Sequence, residues 1–309
     1  MHVNKKFFLK LFALLATLFI SDKLIGMILQ SSYLKAKYNK SYQTNYIINK
    51  LNCDVLIFGA SRATHHYIPF ILSDSLKSCV YNCGYDGKCI YYHYGLLMKI
   101  KERYCPQVVI LDLSPSDIFF SQTITIEGVK ALAPYYGSNK DLDTLINLIS
   151  PFEKYKMMSM LYRYNSRVIE TVGDNCRKAD YNWENGYVPL EGQMNPATII
   201  KRHPQAKKSV EETKIAYLEK FILFCKQHDI SIFISLSPTY YACEHQNGLI
   251  IVNDIAGKYD VPIFNHFCNP LFTENNYFFK DATHLNHEGA TVYSSIIGKE
   301  IKSYLHDNE

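Results

Sequence analysis

The sequence lacks most of the patterns by which a chain of this size declares its chemistry. It has no Gly-rich phosphate loop and no His-Glu-x-x-His run, so neither a nucleotide-cradling turn nor a helical zinc site is written into it, and no metal or other cofactor is called for. No Cys-x-x-Cys pair occurs among its cysteines, at 53, 79, 83, 89, 105, 176, 225, 243 and 268, and their number is odd, so spacing supports neither a zinc site nor a disulfide framework. Several of them sit in apolar runs, where they read as small core residues, and unpaired cysteines count mildly toward a reducing compartment. Lysines and arginines are spread along the chain without a basic, aromatic-interleaved block, and the net charge of +4 over 309 residues is weak. Nucleic acid is set aside as a partner on that ground. A composition of 48% hydrophobic and 20% charged residues is that of a globular chain, enough for one large domain and an appendage, with no second catalytic domain required.

What is present begins with a long apolar run. Residues 7–29 would span roughly 34 Å as a helix, close to the thickness of a bilayer core. Lys10 has to snorkel, and Ser21-Asp22-Lys23 falls toward the far interface. Three readings follow: an uncleaved signal-anchor, a cleaved signal peptide, for which no clean small-x-small site follows, and a cytosolic amphipathic helix. The anchor is preferred, because a run such as Leu11 to Ile20 exposed on a soluble protein is an aggregation hazard. Lys5 and Lys6 before the run are balanced by Lys35, Lys37 and Lys40 after it, so charge leaves the orientation open. Residues 1–30 are thus expected as a membrane anchor. Residues 31–52, with Tyr33, Tyr38, Tyr42 and Tyr46 among lysines and asparagines, read as a polar juxtamembrane connector.

From Cys53 a βα rhythm sets in. The pattern predicts strands at 53–58, 79–82, 108–113, 230–236 and 261–264, with helical stretches from Ser61 to about Leu76, near 88–103, from Ala206 to Gln227, and from Glu288 to Leu305. Strands alternating with helices imply an α/β domain over 53–309, a parallel sheet of about five strands between two helical layers. The rhythm lapses between about 118 and 205. That stretch reads as an insertion with helices around Leu142 to Ile149 and Phe152 to Ile169, followed by a polar Gly/Asn-rich segment. It leaves from the carboxyl end of the third strand and is either a cap that selects the substrate or a decoration packed elsewhere. Tyr135, Tyr136, Tyr162, Tyr164, Trp183 and Tyr187 within it offer rings for sugar faces, in a chain already rich in tyrosine.

Two motifs frame the domain. Phe58-Gly59-Ala60-Ser61-Arg62-Ala63 closes the first strand on a small-residue turn and puts Ser61 where open α/β sheets hold their chemistry, although a short Gly/Ser turn is also an ordinary βα connection. Asp281-Ala282-Thr283-His284-Leu285-Asn286-His287-Glu288-Gly289 lies in a polar loop before the closing helix. With Asp281 three residues before His284, one turn can hold the carboxylate on one ring nitrogen and leave the other to take a proton from Ser61. Arg62 reads either as an anchor for an anionic group or as the partner of a carboxylate such as Asp112 or Asp117. His65 and His66 follow Ser61 within about one turn and are either substrate contacts or satisfied surface or interior groups. Cys83 beside Gly84 is a weak candidate nucleophile with no His-Asn pair pointing to it. An α/β-hydrolase elbow is excluded, since it wants glycine on both sides of the serine and residue 63 is Ala63, while its acid lies far from its histidine.

Together, Gly-x-Ser-Arg near one end and Asp-x-x-His-Leu-Asn-x-x-Gly near the other resemble the first and last sequence blocks of the SGNH (GDSL-like) hydrolase superfamily, over most of residues 53–305. The resemblance implies a flavodoxin-like three-layer fold with Ser61 as nucleophile, His284 as base and Asp281 as third member. It implies an oxyanion hole from the amides of Ser61 and Gly84, the latter in Asn82-Cys83-Gly84-Tyr85-Asp86-Gly87. The third block departs from the family's Gly-x-Asn-Asp: Asp112-Leu113-Ser114-Pro115-Ser116-Asp117 puts Ser116 where the asparagine stands. Arg62 and the histidines after it look most like membrane-anchored bacterial members near cell-envelope polysaccharide acyl transfer; Arg62 and His66 are the candidate substrate-binding residues. The implied substrate is an acyl, above all acetyl, ester of envelope carbohydrate, the implied partners are polysaccharide assembly proteins, and the implied place is the outer side of the cytoplasmic membrane. Esterase, O-acyltransferase and non-catalytic carbohydrate-binding relative all remain open.

Overall fold

In the computed structural model the described residues are 5–37, 39–165, 167–169, 171, 173, 185–195, 209–240 and 246–307. They divide into two compact units, Met1–Tyr46 with Val129–Asp180, and Ile47–Gly128 with Tyr181–Glu309. Trp183, Cys176 and Cys243 lie outside the described residues.

The second unit holds a five-stranded parallel sheet: β1 (Val55–Phe58), β2 (Val80–Asn82), β3 (Val108–Asp112), β4 (Ser231–Leu236) and β5 (Ile263–Asn265), in the order β2-β1-β3-β4-β5. That order is the flavodoxin-like one, with its topological switch point between β1 and β3. Strands β1 and β3 are buried throughout because both faces are covered, which is why they read as continuous apolar runs and not as alternating ones. Val55, Ile57, Val108 and Ile110 pack with α4 (Pro69–Leu76) and the closing helix α12 (His287–Asp307), which follows α10 (Gln246–Lys258) and α11 (Pro270–Thr273), through Leu72, Tyr293, Ile297 and Ile301. One residue on, Phe58 points to the opposite face, where its ring lies 5.4 Å from Phe221 of α9 (Glu212–Gln227) and 6.3 Å from His93 of α5 (Ile90–Ile100).

The helix expected from Ser61 to Leu76 is two. Helix α3 (Ser61–His66) stops at Tyr67, and α4 restarts with Pro69 at its first turn. A proline disfavours helical backbone in the residue before it and is at home at the start of a new helix, so Ile68 is extended and the chain bends there. The cysteines also depart from expectation: Cys53 and Cys79 form a disulfide. The odd count concealed a pair that parallel strands β1 and β2, side by side in the sheet, bring together at their amino ends.

The first unit is helical among its described residues. Helix α1 (Lys5–Leu34) is long and apolar enough to cross a membrane. The stretch expected as a polar connector carries α2 (Asn39–Asn49), whose Asn45 donates to the Tyr33 carbonyl at 2.7 Å. Residues 140–165 add α6 (Lys140–Asn147), α7 (Glu153–Lys156) and α8 (Met160–Asn165), and the Tyr33 ring packs edge-on to Tyr135 and Tyr164.

Candidate active site

Ser61 is the first residue of α3, reached from β1 through Gly59, whose φ of +148° is open to glycine alone. A side chain at 59 would also strike the Asp112 carbonyl at 2.7 Å, so the turn depends on glycine twice over. The turn thus sets Ser61 at the carboxyl end of β1, beside the switch point. The amide of Ser61, at the start of the helix, has no carbonyl one turn earlier in α3 to bond.

The loop before α12 brings His284 to the same place. Ser61 Oγ lies 2.7 Å from His284 Nε2, and His284 Nδ1 lies 2.9 and 3.0 Å from the two carboxylate oxygens of Asp281. Asp281 Oδ1 also accepts from the amides of Thr283 and His284, at 2.8 and 3.0 Å, and from the Thr283 hydroxyl at 2.9 Å. Burial alone pushes the Asp281 carboxyl up, but the His284 hydrogen bond and these donors outweigh it and hold the group well below the usual carboxylate range. An ionised Asp281 favours the tautomer with the proton on Nδ1, which leaves Nε2 facing Ser61 as an acceptor. The loop is fixed at its other end by Asn286, which accepts from the Gly289 amide at 2.9 Å and so caps α12, and donates to the Tyr277 carbonyl at 2.7 Å.

The remaining residues singled out in the sequence fall differently. Gly84 donates its amide to Asn82 Oδ1 at 2.9 Å, and the residue is buried, so this N–H is engaged inside the protein and not offered to an oxyanion. The Ser116 hydroxyl pairs with Ser114 Oγ at 2.8 Å, and its amide points to the same atom at 3.3 Å. Arg62 is buried. It donates to the Ser237 carbonyl at 3.1 Å and faces Asp112 at 3.7 Å, while Asp112 also accepts from Tyr67 and from the Ser237 amide. Of its two readings, the carboxylate partner is the one the geometry has. His66 is fully enclosed, with no surface on which to touch a substrate. Its Nε2 accepts the Leu285 amide at 3.0 Å, and burial, with Arg62 and His284 nearby, holds its pKa well below the ordinary histidine value. His65 is held by the Val188 carbonyl at 2.8 Å and meets the His284 ring edge-on at 5.6 Å. Cys83 is buried in surroundings that push its thiol up, which removes it as a nucleophile.

Two supporting elements were not foreseen. Asn82 donates to the carbonyls of Ala63 and Tyr67, at 2.6 and 3.0 Å, and ties β2 to α3. Residues 185–195 line the same region through backbone bonds, among them Val188 to Thr64 at 3.1 Å and Asn82 to Asn185 at 2.8 Å. Their one cue was Gly186, whose φ of +89° and close approach to the Asn82 carbonyl admit no side chain.

The fold and site define a parallel α/β protein with a Ser-His-Asp chain at the switch point of its sheet. No family model matches the chain, and no curated protein sequence does. Among solved structures it is similar to BT4096, described as a gut microbial diltiazem-metabolizing enzyme, at 11% identity and a TM-score of 0.40 over 80% of this chain and 47% of that one. The chain therefore spans about half the length of that protein.

Proposed function

We propose that this protein is a serine esterase or O-acyltransferase of the SGNH type, acting on acyl esters of cell-envelope carbohydrate from a membrane-anchored position. One observation carries the reading: Ser61, His284 and Asp281 form a continuous hydrogen-bonded chain at 2.7 and 2.9 Å. In the reaction, His284 Nε2 takes the proton from Ser61 as Oγ attacks the ester carbonyl, and the amide of Ser61 faces the developing oxyanion. The alkoxide leaves with the proton from His284, giving an acyl-serine. Water or a sugar hydroxyl then loses its proton to His284 and takes the acyl group, and Ser61 is regenerated. The Cys53–Cys79 disulfide favours an oxidising compartment and supports export.

The test is Ser61→Ala on an acetylated sugar, with and without a competing acceptor. Activity should fall by roughly a thousandfold or more, since members of such a unit fail together. A serine-directed probe should label Ser61 in the parent and nothing in His284→Ala. Undiminished turnover by a folded Ser61→Ala protein would reject the assignment. A second reading, a carbohydrate-binding relative with weak or no catalysis, has its own observation: the Gly84 amide and the Ser116 hydroxyl are both engaged elsewhere. It is supported if the labelled Ser61 turns over no ester.

A further inference from the structure

Helix α1 is not bare along its whole length. Asp22, its one acidic residue, accepts from Ser159 Oγ and from the amides of Met160 and Leu161, at 2.9 and 3.1 Å, and so caps α8. Lys23 donates to the Met158 carbonyl at 2.9 Å. Gly26 admits Met160 so closely that a Cβ at 26 would lie 2.3 Å from the Met160 Cβ. A hydrocarbon core about 30 Å thick takes about 20 residues of helix, a length that, counted from Phe7, ends at Gly26. The start of α8 therefore meets α1 where hydrocarbon gives way to headgroups. A carboxylate at that depth is tolerated when donors surround it, as they do Asp22.

Around these contacts the surface is apolar. Leu148, Phe152, Tyr155, Met158 and Leu161 are all exposed, Met158 to 68% and Phe152 to 66%, and Lys154 sits over the Tyr155 ring at 4.8 Å. A soluble surface seldom gathers so many apolar side chains in so short a stretch. Aromatic rings with a lysine beside a spanning helix are the composition of a membrane–water interface.

We propose that residues 148–161 form a second membrane contact, lying in the headgroup layer of a phospholipid bilayer beside the exit of α1, with Phe152, Tyr155 and Met158 reaching the upper acyl chains. The inference rests on reading α1 as an anchor. The occupant is lipid because the patch is continuous with the helix that enters lipid, at the depth where that helix leaves it.

The test uses the full chain with Trp183→Phe, which removes its one tryptophan, and a single reporter at Met158→Trp, Tyr155→Trp or Leu15→Trp, in phosphatidylcholine–phosphatidylglycerol vesicles brominated near the headgroup or at mid-chain. Emission at 158 and 155 should be quenched most by shallow bromine, and emission at 15 most by mid-chain bromine. If 15 is quenched while 158 and 155 respond to neither lipid, the patch faces water or a protein and the proposal is overturned with the anchor intact. If 15 is also unquenched, the anchor reading fails and takes the proposal with it. Both patch residues are exposed, so their replacement leaves the packing alone.

Discussion

A histidine that is to act as a base must be aimed by its neighbours, and His284 is aimed from two directions. Asp281 holds its ring, and His66 holds the backbone one residue on by accepting the Leu285 amide. His66→Ala should leave that buried N–H without a partner, at a cost of about 1–3 kcal/mol. Because the defect lies behind the proposed base, kcat should fall with KM nearly unchanged, and His66→Gln, whose carbonyl can accept the same proton, should recover part of the loss. A raised KM at unchanged kcat would instead make His66 a substrate contact. Asp281 carries a different consequence. Its folded pKa is depressed, so its contribution to stability is present above the ordinary carboxylate range and is lost only as pH falls through the lowered value. The acid limb of any activity profile therefore belongs to another group.

At the scale of elements, the sheet is legible because its central strands β1 and β3 are buried on both faces and so are continuous apolar runs, and the apolar runs of the sequence fall within a few residues of all five strands. The break between α3 and α4 has its signal in Pro69, which a single helix from Ser61 to Leu76 ignores. Asp281 and His284 could be coupled from sequence because one turn joins them. That Ser61 faces them follows from β1 ending at the switch point, which only the strand order reveals. The partner of the Gly84 amide was not legible, since Asn82-Cys83-Gly84 matches the motif whether or not the Asn82 side chain folds back. That side chain is worth testing. Asn82→Ala removes bonds to the Ala63 and Tyr67 carbonyls and to the Gly84 amide, all in the interior, and should destabilise the protein by roughly 2–4 kcal/mol. A urea midpoint equal to the parent's would show that water replaces these contacts and that β2 does not depend on them.

At the scale of the molecule, two linkages act on stability. Burial holds His66 neutral and pushes His93 down to about 3. A histidine whose folded pKa lies below its unfolded value takes its proton first in the unfolded chain. Its contribution is complete above about 6.5 and declines as pH falls toward the folded value. Unfolding free energy should thus drop between pH 7 and pH 4, and His93→Phe should flatten that slope; an equal slope in the variant would assign the loss elsewhere. The second linkage is covalent. Cys53 and Cys79, 26 residues apart, close a loop that contains β1, Ser61, α3 and α4. In the chain-entropy account such a closure contributes about 2–4 kcal/mol by restricting the unfolded state. Protein recovered from membranes should therefore show Cys53 and Cys79 protected from alkylation until a reductant is added, and reduction should lower the unfolding free energy by that amount. Cys53→Ala should be destabilised to a similar extent and gain nothing further from reductant. Because thiols in a reducing interior stay open, alkylation of both residues in freshly recovered protein would remove the pairing and, with it, the support the disulfide lends to the proposed export.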